Sequence, residues 1–550
     1  MCIYLIDILV PPPYIAPMSI MMSLIEAVLI ITGAGSPEEL GESEMERFES
    51  IAAHPVCINL ASAAQMRASG LFSDYQIASL QDYIGRTGDI LSVSELGTVP
   101  GFPPKFAAAL AHFVSFESHS PAGKRHSGRI RQEATARVVM KEAGTTPAGK
   151  YHLSYGERAE FYLSRRESTT VSAVIYGKRP WKAILGDFNT RFGQGLLQWS
   201  GFSLSGFPGA GSFSRNASGF SGTGSFSPSH RGLALDYSGR RFILGGGATA
   251  DGGLLGSASF LGHSGSIGLN AIRNADKNGF SVDWKKGFGH LSTFGEAAWA
   301  HGTAALAGAT WAPEYKTSAS ILLRYYSPGY SAPGAGAVRS SSAVRDEAGI
   351  SAGLAWKWLD CTADMAIHPE KLRLRKKNYQ QFKSVVNASP SFAWRGWQLS
   401  PVMRWVERMQ VSPAGDAYSA AWRHDLRLDL NLSRNGLQGR LRLNPVKNGD
   451  SRTGILAYLE AGYKTPSDTS RFQAAVYLRG TLCNTPDWAS RIYSYERDLP
   501  GCFTVPAWYG KKKGLSLIAG LSYQGRRCRQ RLYFRASTND IKLQYQIWIW

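Results

Sequence analysis

The sequence predicts a mainly β chain: a large antiparallel transmembrane β-barrel that follows a small all-α domain. Three observations carry this. In the stretch 425–444, Leu426, Leu428, Leu430 and Leu432 alternate with Asp425, Arg427, Asp429 and Asn431. After Asn435-Gly436, Leu437, Leu441 and Leu443 alternate with Gln438, Arg440 and Arg442. Period-two alternation puts the leucines on one face and the charges on the other, and Asn-Gly suits a two-residue type I′ turn whose central residues both need φ > 0. A soluble sandwich would hold the charges in water, whereas a membrane barrel would hold the leucines in lipid and the charges in its lumen.

The second observation is recurrence. Ala134, Ala136, Val138 and Met140 form one apolar face. Others are Ala319, Ile321, Leu323 and Tyr325; Ile455, Ala457, Leu459, Ala461 and Tyr463; and Phe472, Ala474, Val476 and Leu478. Segments of about 10 residues between turn residues fit transmembrane strands, and roughly 20 of them, give or take about four, run from residue 130 to residue 550. The third observation is the C-terminus. Ile541, Leu543, Tyr545, Ile547 and Ile549 alternate with Lys542, Gln544 and Gln546, and the chain ends Trp548-Ile549-Trp550. As a loose tail this would be an aggregation-prone edge, and as the closing strand of a barrel it is paired. A terminal strand with a final aromatic resembles the sorting signal of outer-membrane barrels.

Composition agrees. Glycine is 59 of 550 residues, with 15 Trp and 24 Tyr. Beyond the N-terminus no stretch approaches the ~20 apolar residues of a spanning helix. Residues 1–123 hold 13 acidic and 4 basic side chains, and the remainder holds 28 and 57, so an acidic region precedes a basic body. Such a body suits an acidic polymer, nucleic acid, anionic lipid or simply a charged lumen. The six cysteines, at 2, 57, 361, 483, 502 and 528, have no CxxC spacing. Walker loop, GxGxxG and HExxH are all missing from the sequence. No enzyme is expected, and no catalytic, cofactor or metal residue is assigned.

Residues 1–35 are apolar, and Met21 to Ile31 reads as the core of a secretory signal with Gly33-Ala34-Gly35 near a cleavage site, although no Lys or Arg precedes Arg47. Residues 36–55 form an acidic helical lead-in. Residues 56–117 then carry three capping boxes, Ser62-x-x-Gln65, Ser73-x-x-Gln76 and Ser92-x-x-Glu95, with a fourth helix starting at Pro103-Pro104. Four short helices with tight turns at Gly70 and Gly101 follow from this. The opening Ile58-Asn59-Leu60 and the turns Gly70-Leu71-Phe72-Ser73 and Gly101-Phe102-Pro103-Pro104-Lys105 resemble a tandem helix-hairpin-helix domain of the ComEA type. That resemblance implies turns that meet DNA phosphates or a protein partner. Yet the hairpin of DNA-binding relatives reads Gly-apolar-Gly. Here Phe72 and Pro103 replace the second glycine, and proline has no N–H to donate. With 5 acidic and 3 basic residues in 56–117, a polyanion is disfavoured.

A polar linker, 118–129, leads to the barrel. Two inserts interrupt its strands, at about 189–229 and 483–513. The first carries Gly186, Asp187, Arg191, Gln194 and Trp199, and the second carries Arg491, Tyr495, Glu496 and Asp498. Together with the helical domain and the barrel, these motifs resemble a family of Bacteroidetes envelope proteins. Asp187, Arg191, Arg491, Glu496 and Asp498 are expected in the lumen, either as a salt-bridge network that holds the inserts or as a substrate-gripping site. Cys483 and Cys502 bracket the second insert and are candidates for a disulfide. The functional expectation is an outer-membrane barrel in contact with lipid, with its helical domain in the periplasm. It would act non-enzymatically as a channel, transporter or assembly component, with a periplasmic protein as the candidate partner. The alternative is a DNA-binding or DNA-uptake envelope protein.

Overall fold

The computed structural model describes residues 24–32, 40, 42–53, 55–61, 65–66, 69–72, 74–102, 104–116 and 130–549, the last span without 157, 178–180, 201–212, 216, 240, 263, 275–276, 315–316, 357, 371–379, 415–416, 466–470 and 526. The core of the expected signal before Leu24, the linker 118–129, and Ser62, Ser73 and Pro103 lie outside the described residues.

Alternating segments become hairpins because each strand leaves a row of unpaired amides that only its neighbour can satisfy. Here the row is closed. Strand Ile130–Lys141 pairs with strand Asp540–Ile549 along its length, from Gln132 opposite Ile549 to Lys141 opposite Asp540. Every strand between them is antiparallel to its neighbours, and 24 strands complete one barrel. That is more than the roughly 20 read from sequence. Strands Phe242–Thr249 (FILGGGAT) and Leu254–Leu261 (LLGSASFL) show why. Glycine, alanine and serine occupy both faces there, so apolar alternation is faint.

The two faces segregate as the pattern requires. Leu428, Leu441 and Leu443 are exposed on the outer wall, whereas Arg427, Asp429 and Arg442 point inward and are buried. Leu426 and Leu430 share the outer face and are half-buried, as is the inward-facing Arg440. Asn435 and Gly436 adopt φ of 48° and 86°, as a type I′ turn demands. In the last strand Ile541, Leu543, Tyr545 and Ile549 face outward, and Lys542, Gln544 and Gln546 face inward. Exposed Trp181, Trp311, Trp356 and Trp394 sit at the end of the barrel that carries its first and last residues. An apolar outer band with an aromatic rim and a charged interior is the build of an outer-membrane barrel.

The connections at that end are short. The opposite end bears long inserts. The first, from 192 to 229, opens later than expected, because strand Trp181–Arg191 continues through Arg191. The second, from 485 to 510, lies between Phe472–Asn484 and Lys511–Gln524. A further insert, 327–346, separates Thr317–Tyr326 from Glu347–Trp356. It was missed although its Ser-Pro-Gly and Pro-Gly-Ala-Gly runs advertise a loop.

No disulfide joins Cys483 to Cys502. Cys483 points inward from its strand and packs with Val446, Leu456, Tyr458, Ile492 and Trp508. Cys502 instead ends a turn whose N–H bonds to Leu499. Their separate packing overrides the sequence argument from bracketing.

The N-terminal residues form helices α1 (Leu24–Thr32), α2 (Glu42–Ala53), α3 (Asp74–Thr87), α4 (Val93–Leu96) and α5 (Pro104–Leu110). Ser92 caps α4 by accepting the Glu95 N–H, as the third capping box expects, but the Glu95 carboxylate reaches back one residue further, to the Leu91 N–H, and not to that of Ser92. The side-chain amide of Asn59 exchanges two 2.9 Å hydrogen bonds with the Ile90 backbone and stitches the unit together. Leu71, Phe72 and Phe102 are buried in its core beside Phe48, Leu80 and Phe113. They are therefore packing residues and not exposed turn contacts, because an apolar side chain at a tight turn gains more from the adjacent core than from water. Ala27 and Val28 of α1 join the same core.

Substituting Leu428, midway along the outer wall, by Arg should destabilise the barrel by about 2–4 kcal/mol if this face meets lipid. Reversible folding into lipid vesicles measures it, and an unchanged stability would place the leucine face in water.

Candidate functional site

The lumen is where the charged residues converge, and the inserts fill it. Strand Trp181–Arg191 runs along the wall opposite His230–Tyr237 as far as Phe188. From Phe188 to Arg191 its partner becomes the inner segment Gly219–Gly222. The change follows Gly186, which sits at φ 100° with the Val171 carbonyl where a Cβ would lie, so only glycine fits. Phe220 of the inner segment packs against Phe188 and Phe192, with ring centroids 5.8 and 5.3 Å away. Its carbonyl accepts a hydrogen bond from Lys182, which also pairs with Asp236 at 2.7 Å. Lys182 is the second residue of its strand, so this insert reaches deep toward the end that carries the barrel termini.

The wall grips the first insert through its backbone. Glu296 is fully buried and accepts the N–H groups of Gln194 (2.7 Å) and Leu196 (3.0 Å). Gly193, at φ 53°, passes so close that a Cβ would lie 2.8 Å from that carboxyl carbon. The insert 327–346 closes over it: Tyr330 donates to the Leu196 carbonyl (2.7 Å), and the Trp199 N–H donates to Gly334 (2.7 Å). The Gln194 side-chain oxygen accepts the Arg215 N–H (2.8 Å), and Trp199 lies under the guanidinium groups of Arg191 and Arg215.

The second insert is held by ion pairs. Glu496 meets Arg535 at 2.5 Å, and Asp498 meets Lys542 at 2.6 Å. Arg535 also pairs with Asp540. Arg479 bonds Glu460 at 2.5 Å and donates to the Tyr495 carbonyl at 2.6 Å. Arg137 reaches the Pro500 carbonyl at 2.8 Å. Burial pushes the Glu496 carboxyl above its ordinary value despite the nearby Arg535.

The five charged residues expected in the lumen thus do not form one centre. Asp187 accepts from Arg231 (2.8 Å) and from the Val171 N–H (2.7 Å) at one wall. Glu496 and Asp498 bind the wall at Arg535 and Lys542. Arg491 stacks over Trp488 and donates to its carbonyl within the second insert. Each acid meets a fixed cation, an arrangement that fastens chain to chain and presents no paired acid and base to a substrate. Among the described residues no group of three or more His, Cys, Asp and Glu side chains is placed to hold a metal.

Arg191 has a partner that sequence reasoning did not find. Its guanidinium pairs with Glu44 of α2 at 2.8 Å and donates to the Ser200 carbonyl at 3.0 Å. Glu44 also meets Arg47 at 2.8 Å, and Arg47 donates to the Ser69 carbonyl. Burial raises the Glu44 carboxyl, but Arg191 and Arg47 outweigh it and leave the group below its ordinary value. Phe503, at the tip of the second insert, packs against the helical core and against Tyr495. The helical unit therefore sits against both inserts. The one hint in sequence was an acidic segment before a basic body. Gly70 and Gly101, with φ of 63° and 90°, form the turns of the unit. The side chains of Pro104 and Lys105 lie outside the described residues.

A closed, lipid-facing barrel with a filled lumen defines an outer-membrane β-barrel. No protein-family model and no curated protein matches the sequence. Among solved structures the chain is similar to the translocation pore of the P pilus usher PapC, at 10% identity over 76% of this chain and 98% of that one, with a TM-score of 0.34. It is also similar to OccK2 of Pseudomonas aeruginosa in complex with glucuronate (7%, 77% and 95%, 0.32) and to a BenF-like porin of Pseudomonas fluorescens Pf-5 (9%, 78% and 99%, 0.31). These likenesses concern the fold alone.

Replacing Arg535 by Ala would leave Glu496 and Asp540 buried without their shared cation. The loss of one partner from a buried pair costs about 3–5 kcal/mol, so the second insert should detach. In the detergent-solubilised protein, limited proteolysis should then cut within 495–503, where wild type resists, and Arg535→Lys should restore part of the protection.

Proposed function

We propose that this protein is an outer-membrane channel held shut by its own lumen-filling inserts and by the helical unit beneath them, and that it opens for transport when that unit withdraws. The observation that carries the reading is the buried pair between Glu44 and Arg191, which ties the helical unit to the strand that bends into the lumen. A permanently open pore has no use for such a contact, and a purely structural plug needs none from a separate unit. With the short turns and the barrel termini on the periplasmic side, the usual orientation of such barrels, the helical unit lies at the periplasmic mouth.

The helical unit is read as a tandem helix-hairpin-helix domain of the ComEA type. The left-handed glycines at both turns and the capped α4 support that reading. Its burial of Leu71, Phe72 and Phe102 favours a protein-facing and barrel-facing role over contact with nucleic acid, since the side chains at the turns are committed to the core.

Planar-bilayer recording of the full-length protein tests the proposal. Wild type should show rare, small openings, and Arg191→Ala and Glu44→Arg should each raise the open probability. The swap Glu44→Arg with Arg191→Glu should restore closure. A wide, constitutively open wild type, or variants indistinguishable from it, would refute the reading.

The pH response follows from the sign of the Glu44 shift. A carboxyl held below its ordinary value of 4.5 contributes docking stability that is complete above that value and is lost as pH falls through its folded-state value. Openings should therefore be rare at neutral pH and become frequent under strong acid. Glu44→Gln should raise the open probability at neutral pH and abolish this acid response.

A further inference from the structure

Five adjacent strands, Gly454–Lys464, Phe472–Asn484, Lys511–Gln524, Cys528–Ser537 and Asp540–Ile549, carry two acids between them, Glu460 and Asp540. Both are engaged. Glu460 pairs with Arg479 and Arg497, and Asp540 pairs with Arg535 and Lys542. A different set of cations lies where these strands reach the end that carries the barrel termini. Arg529 and Arg531 alternate with the outward Leu532 and Phe534 and so face the lumen. Lys464 follows the outward Tyr463 and faces the lumen three strands away.

Trp548 of the last strand stands directly opposite Arg529. Its ring centre lies 5.9 Å from the guanidinium carbon of Arg529 and 5.0 Å from that of Arg531. Two guanidinium groups thus converge on one indole. The strongest charges acting on Lys464 are those of Arg531, Arg497 and Arg529, and on Arg529 that of Arg531. Like charges so gathered repel. Among the described residues neither a carboxylate nor a carbonyl bonds the side chain of Lys464, Arg529 or Arg531. Two buried N–H groups in the same corner also lack a protein acceptor, Nε of Arg529 and Nε1 of Trp548. Trp548 is 5% exposed, and a buried donor left unbonded carries an energetic penalty. Lys464 is exposed, so the corner opens to solvent with the helical unit in place.

We infer that this corner of the lumen binds an oxyanion, the phosphate or carboxylate group of a small ligand, with Arg529, Arg531 and the Trp548 N–H as donors and Lys464 as the outer charge. Either group brings several lone pairs to one point, which suits donors that converge from neighbouring strands. An arginine whose flat face rests on an aromatic ring still presents its planar fork of N–H groups at the edge, so the indole holds both forks in place before the anion arrives. Binding needs the folded barrel and not the gating contact at Glu44. A constitutively open chain that still binds would refute closure and leave the site standing, and a closed chain that does not bind would do the reverse.

The test uses the full-length, detergent-solubilised protein with pyrophosphate and citrate as probes, read by calorimetry and by thermal unfolding. At least one probe should bind and raise the Tm, with an effect that fades as sodium chloride is added. The tighter binder tells a phosphate from a carboxylate ligand. Arg529→Gln and Arg531→Gln should each weaken binding at least about ten-fold, the loss expected for a charge-assisted hydrogen bond. Should both fail to fold, Lys464→Gln, at an exposed position, should weaken binding in the same direction. Lys511→Gln, exposed at the opposite end of the barrel, should leave binding unchanged. No binding of either probe to wild type overturns the inference. So does wild-type affinity in the Arg529, Arg531 or Lys464 variant, or an equal loss in Lys511→Gln.

Discussion

Closure of a 24-strand antiparallel sheet encloses a lumen much wider than its own inward side chains can fill. About eight strands make a barrel whose side chains meet across the axis, whereas larger barrels hold water or a plug. Everything inside this wall answers that constraint. The chain supplies the filling from its own connections, which lie at the end opposite the barrel termini and fold inward. Gly186 shows how little is needed to start this. One residue at φ 100° turns a wall strand toward the axis and gives its last residues a new partner.

Filling a charged tube with polar loops requires a partner for each buried group, and the wall provides them by two means. Around the first insert the wall carboxylate of Glu296 holds backbone N–H groups, and the Tyr330 phenol of the insert 327–346 holds a carbonyl. Around the second the wall uses arginine forks on acids and carbonyls, as Arg479 and Arg535 do. Buried ion pairs contribute little net stability compared with apolar packing of the same shape, but a broken pair is costly. Their effect is to select one position of each insert from many of similar hydrophobic energy. The apolar cluster of Phe188, Phe192, Leu196, Phe213 and Phe220 supplies the non-directional attraction, and Glu296 fixes the register.

How much of this the sequence revealed depends on how local the determining interaction is. The hairpin at Asn435-Gly436 and the faces of Leu428 and Arg442 were legible, since alternation and turn chemistry need only neighbours. Strands built from glycine and alanine, such as Phe242–Thr249, were not, because close packing of backbones leaves no apolar period to count. Asp187, Arg191, Glu496 and Asp498 were legible as fasteners but not with their partners. Arg231, Glu44, Arg535 and Lys542 come from 39 to 147 positions away. The Cys483–Cys502 pairing failed for the same reason: bracketing in sequence gives no information on which way a strand residue points.

The helical unit touches the filling at points that connect the filling to itself. Arg191 links Glu44 to the Ser200 carbonyl, and the adjacent Trp199 N–H bonds to Gly334 in the insert 327–346. Phe503 lies six residues after Arg497, which shares Glu460 with Arg479 of the wall. Two separate inserts therefore reach the helical unit, the first through the Glu44–Arg191 ion pair and the second through apolar packing of Phe503. Coupling between distant parts of a protein requires a physical network with more than one arrangement. In the proposed withdrawal, undocking α2 would return Glu44 and Arg47 to water together and leave Arg191 its bond to Ser200, at the cost of a buried charge that has lost its carboxylate. The wall, whose hydrogen bonds close on themselves, need not change at all. The proposed opening would confine motion to the filling and the unit that covers it, with the barrel as a fixed frame and its interior as the moving part.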